Sequence, residues 1–238
     1  MTSICNSKRN NFETAISNIK YLSSDVMEIT FKIMSHERMS FIPGQFILVK
    51  ISNSPMIMRP YSVLNYNTST NEVSIAVKKV EGGEGTKIIF DTFKLGLEVE
   101  IMGAMGESLI VDKKEADLLL VATGIGITPI MCILKDLHNS NYSGNITFMY
   151  GARTKSELFY LDEIEKIISE NKNIKFNSVL SREAVEGSYK GYVTDLVKDM
   201  NLEGKHIYMC SSRAVASSFK EVLEMKKFNL SKFSCESA

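Results

Sequence analysis

Polar and apolar positions in the first half of the chain alternate in runs too short for helices. Residues 29–34, 45–51, 61–64, 72–80 and 98–102 are rich in β-branched or aromatic side chains, which suit a pleated, half-buried surface. Pro43-Gly44, residues 65–71 and Gly82-Gly83 separate them, as between the strands of a barrel or sandwich. One short helix is expected over 87–93. From residue 118 the pattern changes. Apolar strand-length runs at 118–122, 146–150, 175–180 and 206–210 alternate with helical patterns at 129–138, 158–170, 193–200 and 214–226. That order predicts a parallel sheet covered by helices on both faces. The charged stretch Val111-Asp112-Lys113-Lys114-Glu115 lies between the two patterns and reads as a boundary, giving domains 1–113 and 114–238. Thr154-Lys155-Ser156-Glu157 reads as a capping box for the second helix, and the first ten residues are expected to be loose.

Composition narrows the class. Of 238 residues, 44% are hydrophobic and 24% charged, which is ordinary for a globular protein and excludes a disordered or fibrous chain. Lys plus Arg and Asp plus Glu both number 28, so no overall positive field is present to hold nucleic acid or anionic lipid. Cys5, Cys132, Cys210 and Cys235 lack CxxC or Cys/His spacing, and His36, His138 and His206 form no pairs. No metal site is expected, and reduced thiols with a polar amino terminus point to the cytoplasm. Residues 118–134 carry no charge, but Gly124, Gly126 and Pro129 interrupt them. A buried strand, a turn and a packed helix are expected there rather than a membrane span.

Two segments carry candidate chemistry. Thr123-Gly124-Ile125-Gly126-Ile127-Thr128-Pro129 directly follows a buried strand. The glycines permit a sharp turn and close approach of a ligand. Thr128 as cap and Pro129 as first helical residue would leave amides free for an anion. Because Pro129 stands where a full GxGxxG has its third glycine, the segment reads either as a phosphate cradle or as a tight turn. In the first half, Arg59-Pro60-Tyr61-Ser62 precedes Gly82-Gly83-Glu84-Gly85-Thr86. Arginine pairs with a pyrophosphate, a tyrosine ring lies on a flat heterocycle, and a hydroxyl reaches a ring nitrogen. Taken alone, an exposed arginine and a core tyrosine on a hairpin account for the same residues more simply.

In this order the motifs resemble the ferredoxin-NADP reductase superfamily over nearly the whole chain. Pro43-Gly44-Gln45-Phe46 is similar to its PGQF, Arg59–Ser62 to RxYS, and Gly82–Thr86 to its glycine-rich segment. Met102-Gly103-Ala104-Met105-Gly106 resembles the end of the barrel, Gly124–Pro129 is similar to GxGxTP, and Tyr150-Gly151-Ala152-Arg153-Thr154 to YGxRT. The resemblance implies a flavin-binding antiparallel β-barrel followed by a Rossmann-like NAD(P)-binding α/β domain, with the cofactors meeting in a cleft between them. It implies hydride transfer from the nicotinamide to FAD, then electron delivery to a separate acceptor. By position it assigns the flavin phosphates to Arg59, ring stacking to Tyr61 and the flavin N5 to Ser62. Pro60 and Val77 also fall at the flavin site, and Gly83, Gly85 and Thr86 at the pyrophosphate. The pyridine nucleotide falls to Gly124, Gly126, Thr128, Pro129 and Arg153. Cys210 is placed beside the hydride path and Glu236 where an acid orients the nicotinamide, so Ser62, Cys210 and Glu236 are the implied catalytic residues. Outside the resemblance, Cys210 is a buried strand-end cysteine and Glu236 a charged tail residue.

Two departures from the family pattern stand out. Ser211-Ser212-Arg213 replaces the usual glycine after the cysteine, and Ala238 ends the chain where many members have an aromatic. Ser181-Arg182-Glu183 and Lys190-Gly191-Tyr192 resemble the grip on a 2′-phosphate, in which a guanidinium fork, a hydroxyl and a lysine compensate a dianion. Ser181, Arg182, Lys190 and Tyr192 therefore favour NADPH, with NADH open. No CxxxxCxxC run for an iron–sulfur domain occurs, so the expected acceptor is a separate ferredoxin, flavodoxin or oxygenase component. The alternatives are a flavin reductase with FAD or FMN as diffusible substrate, and a nucleotide-binding sensing or complex-organising subunit.

Overall fold

The computed structural model describes residues 11–65, 67, 69–113 and 117–237. The readings on the first ten residues, on Cys5 and on Ala238 lie outside the described residues. The chain divides into two compact units, Met1–Gly106 and Glu107–Ala238; the charged stretch 111–115 lies just beyond that division.

The first unit contains strands β1 (Asn11–Tyr21), β2 (Val26–Ile33), β3 (Met39–Ser40), β4 (Phe46–Asn53), β5 (Met56–Ser62), β6 (Ser69–Thr70), β7 (Glu72–Lys78) and β8 (Glu98–Met105), with helix α1 (Glu84–Thr92) between β7 and β8. Six strands form one antiparallel sheet in the order β5-β4-β8-β1-β2-β7, and β3 pairs with β6. Phe31, Ile47, Ile75 and Ile101 are fully buried inside it. The sequence pattern did not announce β1, because its inward row of Phe12, Thr14 and Ile16 includes a polar residue. Thr14 is tolerated there because its hydroxyl donates to the Val99 carbonyl at 2.6 Å, which satisfies a buried polar group. That partner lies on β8, so only the tertiary fold supplies it.

The second unit contains β9 (Asp117–Thr123), α2 (Ile127–Asn139), β10 (Asn145–Ala152), α3 (Leu161–Glu170), β11 (Ile174–Leu180), β12 (Tyr189–Lys190), α4 (Val193–Asp199), β13 (Lys205–Ser211), α5 (Arg213–Met225) and β14 (Phe233–Ser237). All six strands are parallel, in the order β12-β11-β10-β9-β13-β14. Helices α4 and α5 cover one face, packing Val197 and Phe219 onto Leu119, Val121, Met149 and Met209. Helices α2 and α3 cover the other. The uncharged stretch 118–134 becomes β9 and α2, both buried. Among the described residues no helix is long and apolar enough to cross a membrane.

Two local expectations are corrected. The capping box at Thr154 does not form: residues Lys155–Glu157 make a 3-10 turn, and α3 starts only at Leu161 after Tyr160 at φ 63°. The Glu157 carboxylate is taken instead by Arg153, with contacts of 2.7 Å to Nη2 and 3.0 Å to Nε; a two-pronged charged contact outcompetes a single amide. Glu236, which outside the resemblance reads as a charged tail residue, lies on β14 beside β13.

Candidate functional site

In the first unit the site is built where α1 lies on β4 and β5. Gly83 is its N-cap, and no side chain caps the helix, so its first-turn amides have no partner within the helix. A Cβ at Gly85 would stand 3.6 Å from Cγ of Arg59 and 3.2 Å from Cδ1 of Ile51. The stem of Arg59 therefore passes over the start of α1, close to its free amides. Arg59 is exposed and donates to the Met58 carbonyl at 2.8 Å. This arrangement fits a diphosphate.

Successive strand residues face opposite sides, so Arg59 and Tyr61 share one face of β5 while Pro60 and Ser62 lie on the other. Tyr61 is half-buried; burial pushes its phenol up to about 12 against the opposing pull of the Arg59 charge. The Thr86 hydroxyl is occupied within the loop, donating to the Gly83 carbonyl at 3.2 Å and accepting from the Val80 amide at 3.1 Å. It shapes the glycine segment, and only its backbone amide is left for a ligand. Val77 is fully buried, so its side chain is withdrawn from any ligand. It faces the sheet interior, as alternation along β7 requires.

In the second unit the strand order reverses at β9, with β10 on one side and β13 on the other. Ligands of such sheets bind beyond the carboxyl ends of the strands at that reversal. The glycine turn sits at that end: Gly124, at φ 54°, opens a 3-10 turn, and a Cβ there would meet nothing within 4 Å. Gly126 is different, because a Cβ there would lie 2.2 Å from the carbonyl oxygen of Cys210. Its glycine is demanded by the neighbouring strand.

Thr128 is not the cap. Helix α2 starts at Ile127 with Gly126 as N-cap, and the buried Thr128 hydroxyl donates to the Ile125 carbonyl at 2.9 Å. Pro129 is consequently the third helical residue and is buried. The preceding turn supplies the cap position, which displaces both residues by two steps into the helix.

Strands β13 and β14 bring the two remaining sequence candidates together, since Cys210 is the register partner of Glu236. Cys210 is 2% exposed. Burial first, then the nearby Glu236 and Cys235, push its thiol up to about 12, so it stays neutral and unreactive. Burial also raises the Glu236 carboxyl, partly offset by a hydrogen bond from Ser108. Ser108 was missed from sequence because nothing in its neighbourhood marks it. Cys235 packs with the α4–α5 core, and Cys132, Cys210 and Cys235 are all free thiols. The departure at Ser211 is accommodated: its side chain is fully buried and its hydroxyl donates to the Ser212 carbonyl at 3.1 Å.

The strand end of β11 gathers the other nucleotide candidates. Arg182 is exposed and its amide donates to the Arg153 carbonyl at 2.9 Å, while the Ser181 amide donates to the Ala152 carbonyl at 3.0 Å. Lys190 is exposed on β12 as the register partner of Leu180, and Tyr192 is the exposed N-cap of α4. Arg153 is held by Glu157, so its guanidinium acts as a brace for its own loop. Among the described residues no group of acidic, His and Cys side chains could hold a metal.

Comparison with known proteins agrees with this architecture. Residues 13–109 match the oxidoreductase FAD-binding domain family and residues 120–221 the oxidoreductase NAD-binding domain family. The chain belongs to the ferredoxin-NADP reductase superfamily. Its units are thus an FAD-binding and an NAD(P)-binding domain of an oxidoreductase. Among relatives, the toluate 1,2-dioxygenase electron transfer component of Pseudomonas putida is 25% identical over 209 residues, covering 87% of this chain and 61% of that protein. The family chain spans about three fifths of the length of the first curated relatives it matches. Its fold is like that of a Neisseria gonorrhoeae ferredoxin NADP+ reductase solved with FAD and NADP (TM-score 0.83, 17% identity, 97% of this chain and 99% of that one). It is also like an Amycolatopsis cytochrome P450 reductase (TM-score 0.87, 21% identity, 96% and 70%).

Proposed function

We propose that this chain is an FAD-dependent NAD(P)H reductase that passes electrons to a separate redox protein. The observation that carries the reading is the ordered pair of cofactor domains, each with an uncapped helix start at the position expected for a diphosphate. Bound FAD supplies the capacity to take a hydride and release its electrons. Arg59 and the first amides of α1 hold the diphosphate of FAD, Tyr61 orients its ring, and Ser62 reaches the ring edge. In the second unit the Gly124 turn receives the dinucleotide. Glu236, half-buried beside Cys210 on the neighbouring strand, orients the nicotinamide. Arg182 and Lys190 favour NADPH over NADH by compensating the 2′-phosphate.

Relatives described as electron transfer or reductase components of oxygenase systems support an oxygenase component as the acceptor, and the cytoplasm is the proposed location. The test is an anaerobic absorbance spectrum before and after NADPH and, in a fresh sample, NADH. Yellow protein bleached faster by NADPH is expected. Colourless protein without affinity for FAD or FMN overturns the reading.

A further inference from the structure

Tyr150 lies outside the flavin and nucleotide contacts proposed above. Its ring is fully buried in β10, 6.3 Å from the ring of Phe148 and nearly parallel to it, which by itself makes it a core residue. Its hydroxyl does more than fill space. It lies 3.3 Å from the Gly124 carbonyl and 3.3 Å from the Glu157 carbonyl, and accepts from the Phe159 amide at 3.2 Å. A phenol has one proton to donate and lone pairs to accept, so it serves the carbonyls in turn while holding the amide.

These partners lie in two different turns. Gly124 opens the turn after β9, and Glu157 and Phe159 follow β10. Because β9 and β10 are parallel neighbours with Tyr150 opposite Ala122, both turns leave the sheet at the same carboxyl-end edge. Gly126 anchors the far end of the 124–126 turn against Cys210, whereas its first residue, Gly124, packs loosely. No atom lies within 4 Å of where its Cβ would be, and its carbonyl also accepts from the Ile127 amide within the same turn.

We propose that Tyr150 is a positioning residue for the pyridine nucleotide: its hydroxyl fastens the 124–126 turn to the 157–159 turn, without touching the ligand itself. The inference rests on the reductase reading above. Fixing both turns in advance removes an ordering cost from nucleotide binding. It leaves the chemistry of the bound complex untouched. Burial keeps the phenol above its ordinary range, so it remains a donor at every working pH.

The test is Tyr150→Phe in the full FAD-loaded chain, which keeps the ring and its packing against Phe148. Equilibrium binding of NADP+ and NAD+ is measured together with KM, kcat, melting temperature and flavin content. Hydrogen exchange is followed over 124–127 and 155–159. Expected are a rise of about fivefold in both the Kd of the preferred nucleotide and KM, unchanged kcat and flavin content, and faster exchange in both turns. A wild-type Kd in the variant overturns the role of Tyr150 alone. A weaker Kd accompanied by lost flavin and reduced kcat also overturns it, because that marks a damaged fold. Wild-type protein that binds neither dinucleotide overturns the reductase reading as well.

Discussion

Each unit starts a helix at an uncapped glycine, Gly83 before α1 and Gly126 before α2, yet different neighbours require the two glycines. A Cβ at Gly83 would meet Thr86 Oγ1 in the first turn of α1 and Val80 Cβ in the preceding loop, both at 2.9 Å and both within six residues in sequence. At Gly126 it would meet the Cys210 carbonyl oxygen at 2.2 Å and carbonyl carbon at 2.6 Å, backbone atoms of a hydrogen-bonded central strand. A loop can shift by a few tenths of an ångström; a strand paired on both sides cannot do so without disturbing its ladders. The first glycine segment is therefore a local device and the second is part of the sheet. The helix starts also differ in charge: α1 carries Glu84 in its first turn and α2 has no acid there.

The sharpest way to break this contrast is Gly126→Ala. The added methyl is expected to cost about 3 kcal/mol of stability in the second unit and to abolish NADP+ binding, with flavin retained, as read by denaturant unfolding and nucleotide titration. Gly83→Ala with the same loss would remove the distinction. Next in size, Arg59→Ala is expected to weaken FAD binding by one to two orders of magnitude, as befits a charged hydrogen-bond partner of a phosphate. NADP+ binding should be unaffected, which a paired flavin and nucleotide titration checks.

A smaller effect belongs to the strand pair that Gly126 packs against. Burial raises the Glu236 carboxyl above its ordinary 4.5, so the folded chain holds that proton more tightly than the unfolded chain. The resulting stabilisation is fully present below pH 4.5 and is lost as the pH rises through the folded-state value. Glu236→Gln should flatten that fall in a series of melting curves, and curves parallel to the wild type's would count against the assignment. The smallest effect is expected at α1, where Glu84→Gln removes a negative charge from the helix start. Affinity for FAD should rise about twofold, while the equivalent measurement with NADP+ should not change.

Much of this was legible in the residues. The order of β and β/α patterns predicted both units because strand and helix periodicities are local properties of the chain. The glycine turn at 124–126 is legible in its residues, and Cys210 and Glu236 through the resemblance of the ordered motifs. Where local pattern failed, a distant partner had settled the matter. Strand β1 carries Thr14 on its core face because Val99 accepts its proton. Glu157 gave up a capping role because Arg153 offered two donors.

The sequence by itself determined the fold class and which short segments could face a cofactor, since periodicity, glycine freedom and charge type are written in consecutive residues; the family came from the resemblance of its ordered motifs. The tertiary structure alone decided which groups are free to act. It set the Arg59 stem over uncapped amides, closed the hydroxyls of Thr86 and Thr128 into their own turns, and buried Val77 and Tyr150. The physical reason is that a polar atom's availability depends on who else satisfies it and on whether water can reach it. Both are properties of neighbours that the fold brings together from far along the chain.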